Sequence, residues 1–360
     1  MPLTKLKTQP QLKPNTSKPF KTLFFDQEFS LECGDTLPEL EISYTTHGTL
    51  SPSLDNVVWV FHALTANADP IEWWPGVVGK KQVISPDKHF IVCANMLGSC
   101  YGTTGPDSID PRTGEKYGAK FPLITVKDMV NVHRILMQHL GITKIHLGIG
   151  GSMGGQQLLE WASTEPEIFD KICVLATNAR HSAWGIAFNT AQRMAIEADS
   201  TYQFDYEGAG EKGLRAARAI AMLSYRNQNT YRKTQTDFED KTDDFKASSY
   251  QYYQGQKLSE RFTVLAYWYL SKAMDSHNIG RGKKSVRHAL KSITAKTLVI
   301  GIRTDLLFPF AEQKFIAKNI KGSTLALIDS LYGHDGFLIE SDAISDQLQK
   351  FIKQIHYENI

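Results

Sequence analysis

The run Ile145-His146-Leu147-Gly148-Ile149-Gly150-Gly151-Ser152-Met153-Gly154-Gly155-Gln156-Gln157-Leu158-Leu159-Glu160-Trp161-Ala162 decides how the rest of the chain is read. Ile145 to Gly148 has the pattern of a buried strand, and Gln156 to Ala162 continues at helical spacing. Between them lies G-x-S-x-G, and the strand-turn-helix setting is what gives that motif meaning. A serine on so tight a turn needs glycine neighbours, because larger side chains would collide, and the strained turn lifts its Oγ clear of the sheet. The start of the following helix aims backbone N–H groups and the positive end of the dipole at a developing oxyanion. A phosphate-binding loop would need G-x-x-x-x-G-K-[ST] or an acidic ribose-binding residue, and the sequence offers neither at an obvious place. Ser152 is therefore the candidate nucleophile.

Outward from this turn, short runs rich in β-branched and aromatic residues alternate with longer helical segments. The candidate strands are Val57 to Phe61, Phe90 to Cys93, Ile145 to Gly148, Ile172 to Leu175, Thr297 to Ile300 and Leu325 to Ile328. Their continuous apolarity suits strands covered on both faces, as in a mostly parallel sheet of βαβ units. Thr125 and Asp128 form a capping signature ahead of Met129, Val132, Leu136 and Leu140, with Gly141 closing that helix. A terminal helix is expected from about Phe337 to Ile355. The stretch 180–294 breaks the alternation: it is rich in Arg, Tyr and Gln, with helical patches at Leu214 to Tyr225 and Glu260 to Met274. The expected organisation is a flexible tail over 1–21, an α/β core over 22–179 and 295–360, and a helical lid over 180–294. The acidic run Asp237 to Asp244 reads as solvated surface.

A serine hydroxyl needs a histidine base oriented by a carboxylate, and in the α/β-hydrolase fold the chain order is Ser, then Asp or Glu, then His. Asp305 follows the strand that ends at Gly301, and His334 follows the strand that ends at Ile328. Two successive strand ends thus deliver acid and base to the carboxyl edge of the sheet, where the sites of open sheets gather. Asp335 competes as the orienting acid, but its side chain is adjacent to the histidine and poorly placed for the correct ring nitrogen. The second oxyanion donor in such folds comes from the loop after an early strand. Here that loop is His62-Ala63-Leu64-Thr65, so the backbone N–H groups of Leu64 and Met153 are the expected pair, with His62 structural.

With 360 residues, 42% of them hydrophobic, the chain can build one large core with a sizeable insertion, and disorder throughout is excluded. A net charge of +2 gives no electrostatic case for nucleic acid or an anionic membrane, so the expected partners are small molecules. Cys33, Cys93, Cys100 and Cys173 have no C-x-x-C spacing, and two of them lie in apolar strand-like runs, which suits a reducing cytoplasm. The first 22 residues have no apolar signal region, and no run reaches the length of a membrane span. No His/Cys/Asp cluster has metal-ligand spacing.

Beyond the triad, the chain resembles the homoserine O-acyltransferase family from about residue 22 onward. The resemblance rests on His62-Ala63-Leu64-Thr65, on Asn95 to Pro106, on Phe121-Pro122 with Thr125 to Val130, and on Gly150 to Gly155, Asp305 to Pro309 and Gly333 to Leu338. It implies ping-pong transfer of an acetyl group from acetyl-CoA, a substrate rather than a bound cofactor, to the side-chain hydroxyl of L-homoserine, serving methionine biosynthesis. It further implies that Ser152 carries the acetyl group, that His334 is the base in each half-reaction, and that the chain is a homodimer. An arginine and a tyrosine of the helical lid match Arg218 and Tyr225, and Arg218 would hold the homoserine carboxylate, for which a forked guanidinium is suited. Asp335 would hold the ammonium.

Arg215 and Arg226 stay open as alternatives to Arg218. Ala66-Asn67-Ala68-Asp69 and Gly105-Pro106-Asp107-Ser108 depart from the family pattern, which leaves the choice between acetyl and succinyl donors, and between homoserine and serine, to pocket shape. An esterase or thioesterase would use the same triad with water as acceptor, and a catalytically dead fold would use it for binding alone.

Overall fold

The computed structural model describes residues 20–353, so the expected tail over 1–21 lies almost wholly outside the described residues. The chain opens with β1 (Lys21–Phe25), β2 (Phe29–Ser30), β3 (Thr36–Leu37) and β4 (Leu40–His47). The core continues through β5 (Val57–Phe61), α1 (Pro70–Trp73), β6 (Phe90–Ala94), α2 (Val126–His139), β7 (Ile145–Gly151), α3 (Met153–Thr164) and β8 (Phe169–Leu175). After a helical excursion come β9 (Lys296–Ile302), α10 (Phe310–Asn319), β10 (Thr324–Ile328), α11 (Gly336–Ile339) and α12 (Ser341–Lys353). The excursion holds α4 (Ala183–Glu197), α5 (Glu211–Tyr225), α6 (Gln228–Thr234), α7 (Lys246–Ser259), α8 (Val264–Asp275) and α9 (Val286–Lys291).

One eight-stranded sheet runs in the order β1-β4-β6-β5-β7-β8-β9-β10. The β6-β5-β7-β8-β9-β10 pairs are parallel, and β1 and β4 join antiparallel at one edge. The all-apolar β5 is explained by its central place: Trp59 and Phe61 enter the core on one face, and Val58 and Val60 enter the core on the other. On the first face Trp59 meets the Trp161 ring edge-on at 5.6 Å, and His133 stacks on Trp161 at 6.0 Å. The expected start of α2 takes the form of a complete capping box, with Thr125 and Asp128 each accepting the other's backbone N–H.

Two details differ from the sequence-based expectation. The first four strands went unread, because β2 and β3 are two residues each and the edge pair β1 and β4 mixes polar with apolar side chains. The terminal helix is broken after Ile339: Glu340 leaves helical geometry at φ −84, ψ 47, and its carboxylate accepts the Ser330 hydroxyl at 3.0 Å, so the segment folds as α11 and α12.

Several histidines are core residues here. Trp59 Nε1–H donates to His133 Nδ1 at 3.3 Å, and His133 Nε2–H donates to Gln157 Oε1 at 3.0 Å. His62 bridges Ala63 O (2.9 Å) and the Met96 N–H (3.1 Å) and so staples the loop after β5 to the end of β6. His277 holds Asn178 O through Nε2 at 3.1 Å. Burial pushes His62 and His133 down from 6.5 to about 4, and His277 down to about 3. Between the unfolded value of 6.5 and the folded values, the unfolded chain binds protons that the folded chain does not. The stability contributed by these histidines is therefore full above pH 6.5 and falls as the pH drops toward about 4, with proton uptake on unfolding, and they outnumber the opposite contribution of Glu312, whose carboxyl burial raises to about 7. Urea midpoints measured across that range check this; a midpoint that stays level throughout contradicts it.

Candidate active site

Ser152 sits between the end of β7 and the first residue of α3 at φ 55, ψ −126, a region that a non-glycine residue enters only when its surroundings force it. Its N–H is held by Leu175 O at 2.9 Å, and its carbonyl accepts Thr177 Oγ1–H at 2.7 Å. At Gly154 a Cβ would fall well inside van der Waals contact with the Phe61 carbonyl, so only glycine lets α3 start this close to the end of β5. The strain at Ser152 is thus maintained by packing on both sides of the turn.

Asp305 lies just past β9 with its side chain fully buried. One carboxylate oxygen accepts the N–H groups of Leu307 (2.8 Å) and Phe308 (2.9 Å), which fixes the group and leaves the other oxygen for His334. His334 Nδ1 donates to that oxygen at 2.7 Å, and His334 Nε2 accepts from Ser152 Oγ at 2.9 Å. Phe308, Phe337 and Tyr225 surround the imidazole at 5.1, 5.2 and 5.6 Å between ring centroids. The three residues expected to act together therefore meet in one hydrogen-bonded chain, in the order Asp305–His334–Ser152.

Leu64 follows β5 and lines the same cavity as Ser152 and His334. Met153 follows Ser152 and opens α3, so its N–H has no acceptor within the helix. Both are where an oxyanion donor pair belongs in this fold.

The helical excursion closes over this point. Gly333 takes φ +62 and packs so tightly on the Tyr225 carbonyl and Arg226 backbone that a Cβ there would approach them at 3.0 and 2.9 Å. The Asn227 side-chain amide donates to Leu331 O at 3.0 Å, and Thr230 Oγ1–H donates to the same carbonyl. The loop that carries the histidine is thereby clasped by the end of α5 and the start of α6.

The three arginines left open on α5 separate clearly. Arg215 faces outward, paired with Glu211 at 2.6 Å and with Ser259 at 3.0 Å. Arg226 forms a buried ion pair with Asp335 at 3.3 Å and lies over the Tyr332 ring at 5.3 Å. Arg218 is 7% exposed, lines the cavity beside Ser152, and stacks its guanidinium over Tyr225 at 5.1 Å. Its Nη1 is buried without a hydrogen-bond partner, as is Asp335 Oδ2. Burial raises the Tyr225 hydroxyl above its ordinary value, with Arg218 opposing the shift. Arg218, with its Nη1 unpartnered, and Asp335, whose Oδ2 faces Arg226, thus line one cavity of about 90 Å³ beside Ser152.

Sequence reading missed Gln254, Lys257, Leu258 and Arg261, which line the cavity from the end of α7 onward. Their spacing at i, i+3, i+4 and i+7 marks one helical face and was the available signal. Arg261 donates to Thr65 O and to the Tyr101 hydroxyl, so it also braces the loop that bears Leu64.

Comparison with known proteins fits this geometry. A family model described as alpha/beta hydrolase fold matches residues 56–341. A homoserine O-acetyltransferase of Cyclobacterium marinum is 49% identical over 338 residues, covering 94% of this chain and 95% of its own. The crystal structure of homoserine O-acetyltransferase from Bacillus anthracis superposes with a TM-score of 0.85 at 23% identity, over 93% of this chain and 98% of that one. The crystal structure of esterase E22 does so at 0.84 and 23%, over 92% and 99%, and both structures speak to the fold alone. From the family match and the extent of its sequence identity, the chain belongs to the homoserine O-acetyltransferase family of the α/β-hydrolase fold.

Proposed function

We propose that this acyltransferase moves an acetyl group from acetyl-CoA to the side-chain hydroxyl of L-homoserine in two half-reactions, with the acetyl group held on Ser152 between them. The observation that carries the proposal is a triad sharing one cavity with an unpaired buried guanidinium and a carboxylate, which together complement an amino acid zwitterion. A hydrolase using water would have no need of either.

In the first half-reaction His334 Nε2 takes the Ser152 proton as Oγ attacks the thioester carbonyl. Asp305 stabilises the imidazolium, and the N–H groups of Leu64 and Met153 hold the oxyanion. Collapse breaks the C–S bond, and His334 returns the proton to the departing thiolate. In the second, Arg218 holds the homoserine carboxylate in its fork while Asp335 holds the ammonium. His334 then takes the proton of the homoserine hydroxyl, whose oxygen attacks the acetyl carbonyl, and Ser152 Oγ leaves with that proton. Tyr225 fixes Arg218 from beneath, and the clasped α5 to α6 segment keeps water from the ester. This chemistry asks for no metal or prosthetic group. A homodimer in the cytoplasm, supplying O-acetyl-L-homoserine to methionine biosynthesis, completes the proposal, and the described residues include no helix long and apolar enough to cross a membrane.

Three outcomes are expected. Thiol release from acetyl-CoA should depend on L-homoserine and exceed that with succinyl-CoA or L-serine; equal release without any amino acid would make the chain a thioesterase. Ser152→Ala should lower kcat by about 10⁴-fold or more, since the triad acts as a unit. Arg218→Lys should cost about 10- to 100-fold in kcat/KM for homoserine, mostly through KM, because a point charge cannot replace the fork; steady-state kinetics with homoserine as varied substrate give the answer.

A further inference from the structure

The charges around the cavity do not balance, and the excess has a direction. Arg218, Lys257, Arg261 and Asp335 all line it, three cations against one acid. Arg226 already neutralises Asp335 from behind. On the acceptor reading above, homoserine brings one carboxylate for Arg218 and one ammonium for Asp335, and the acetyl group brings no charge. Lys257 and Arg261 are left over. Among the described residues neither pairs with a carboxylate: Arg261 is bonded to Thr65 and Tyr101, and Lys257 has only the Tyr253 ring, 5.9 Å from its Nζ.

A lysine in the last turn of a helix ordinarily complements the helix dipole, but such lysines point to water. Lys257 instead lines a cavity alongside Arg261 and Arg218, and burial, followed by their positive charges, lowers its pKa. Like charges crowded without a counter-ion destabilise a fold, unless a ligand supplies the missing negative charge. The four residues also differ in depth. Ser152 and Arg218 are 5% and 7% exposed, whereas Lys257 and Arg261 are only part-buried, which puts them toward the mouth.

We infer that Lys257 and Arg261 form an anion subsite at the mouth of the cavity that takes phosphate groups of the acyl donor while its thioester lies at Ser152. The inference rests on the proposed acetyl-CoA chemistry and adds to it a place for the part of the donor that does not react. Arg261 is the fixed half of the subsite, anchored to the loop that carries Leu64. Lys257, on a flexible stem, is the adjustable half. Binding energy gathered there would hold the thioester against Ser152 and vanish with the departing CoA.

The test compares acetyl-CoA with acetyl-pantetheine, which lacks the phosphates, in the whole protein and in Lys257→Gln. The ratio of kcat/KM for acetyl-CoA to that for acetyl-pantetheine should fall about tenfold in the variant, the size of one charge-assisted hydrogen bond, and Lys257→Arg should restore most of it. Adenosine 3′,5′-bisphosphate, titrated by calorimetry, should bind the variant about tenfold more weakly, and added salt should weaken its binding to the native protein more than to the variant. An unaltered donor ratio, or bisphosphate binding that ignores Lys257, overturns the subsite. So does a variant that changes only the preference between succinyl and acetyl donors, which would make the anion an acyl carboxylate. Lys257-dependent bisphosphate binding without homoserine-dependent thiol release would keep the subsite and reject the acceptor.

Discussion

Everything in the site depends on how closely the start of α3 approaches the end of β5. Because Gly154 has no side chain, the helix begins against the Phe61 carbonyl, and the turn between β7 and α3 is driven into a conformation that serine would not choose alone. That turn raises Oγ off the sheet toward His334 and makes the Met153 N–H the first of α3, without an acceptor inside the helix. The loop after β5, which carries Leu64, starts from the same contact point, held by His62. One close backbone approach therefore sets the nucleophile and both sides of the expected oxyanion site together. The large aromatic core beneath, Trp59 and Trp161 with His133 between them and Gln157, gives that approach a rigid base.

The triad could be read from sequence because it depends on local chemistry and chain order. Glycines around Ser152 and strand endings before Asp305 and His334 are visible in one dimension. The central strands were equally plain, since burial on both faces leaves few polar residues to blur them. The outermost pair, β1 and β4, was not, because these antiparallel strands mix Thr, Ser and Glu with apolar residues. On the lid, helical spacing gives the face of a helix but not the direction in which that face is pointed. Arg215, Arg218 and Arg226 share one short segment, and only the way α5 packs assigns one to solvent, one to the cavity and one to Asp335. Lys257 and Arg261 belong to a face that was regular enough to notice, on a helix whose neighbour was not known.

Charge in the site is arranged in layers. Asp305 is satisfied by two backbone N–H groups and the imidazole. Asp335, the very next residue after the histidine, turns the other way, and its Oδ2 faces Arg226 as an ion pair without a hydrogen bond. Two neighbouring carboxylates thus have separate counterparts, and neither disturbs the other's geometry. Buried polar atoms left without partners are costly, and two of them, on Arg218 and Asp335, belong to residues that line the cavity beside Ser152.

The bond from Asn227 and Thr230 to the Leu331 carbonyl gives the helical excursion a second identity. It is usual to picture such an insertion as a cover added to a self-sufficient catalytic core. Here the loop carrying His334 leans on the insertion for its shape, and Gly333 accepts the Tyr225 and Arg226 backbone as one wall of its pocket. The core and its insertion are consequently not separable parts. A change in the insertion at Asn227 or Thr230 would therefore be felt in the shape of the loop that carries His334, so the covering and the histidine loop form one mechanical unit.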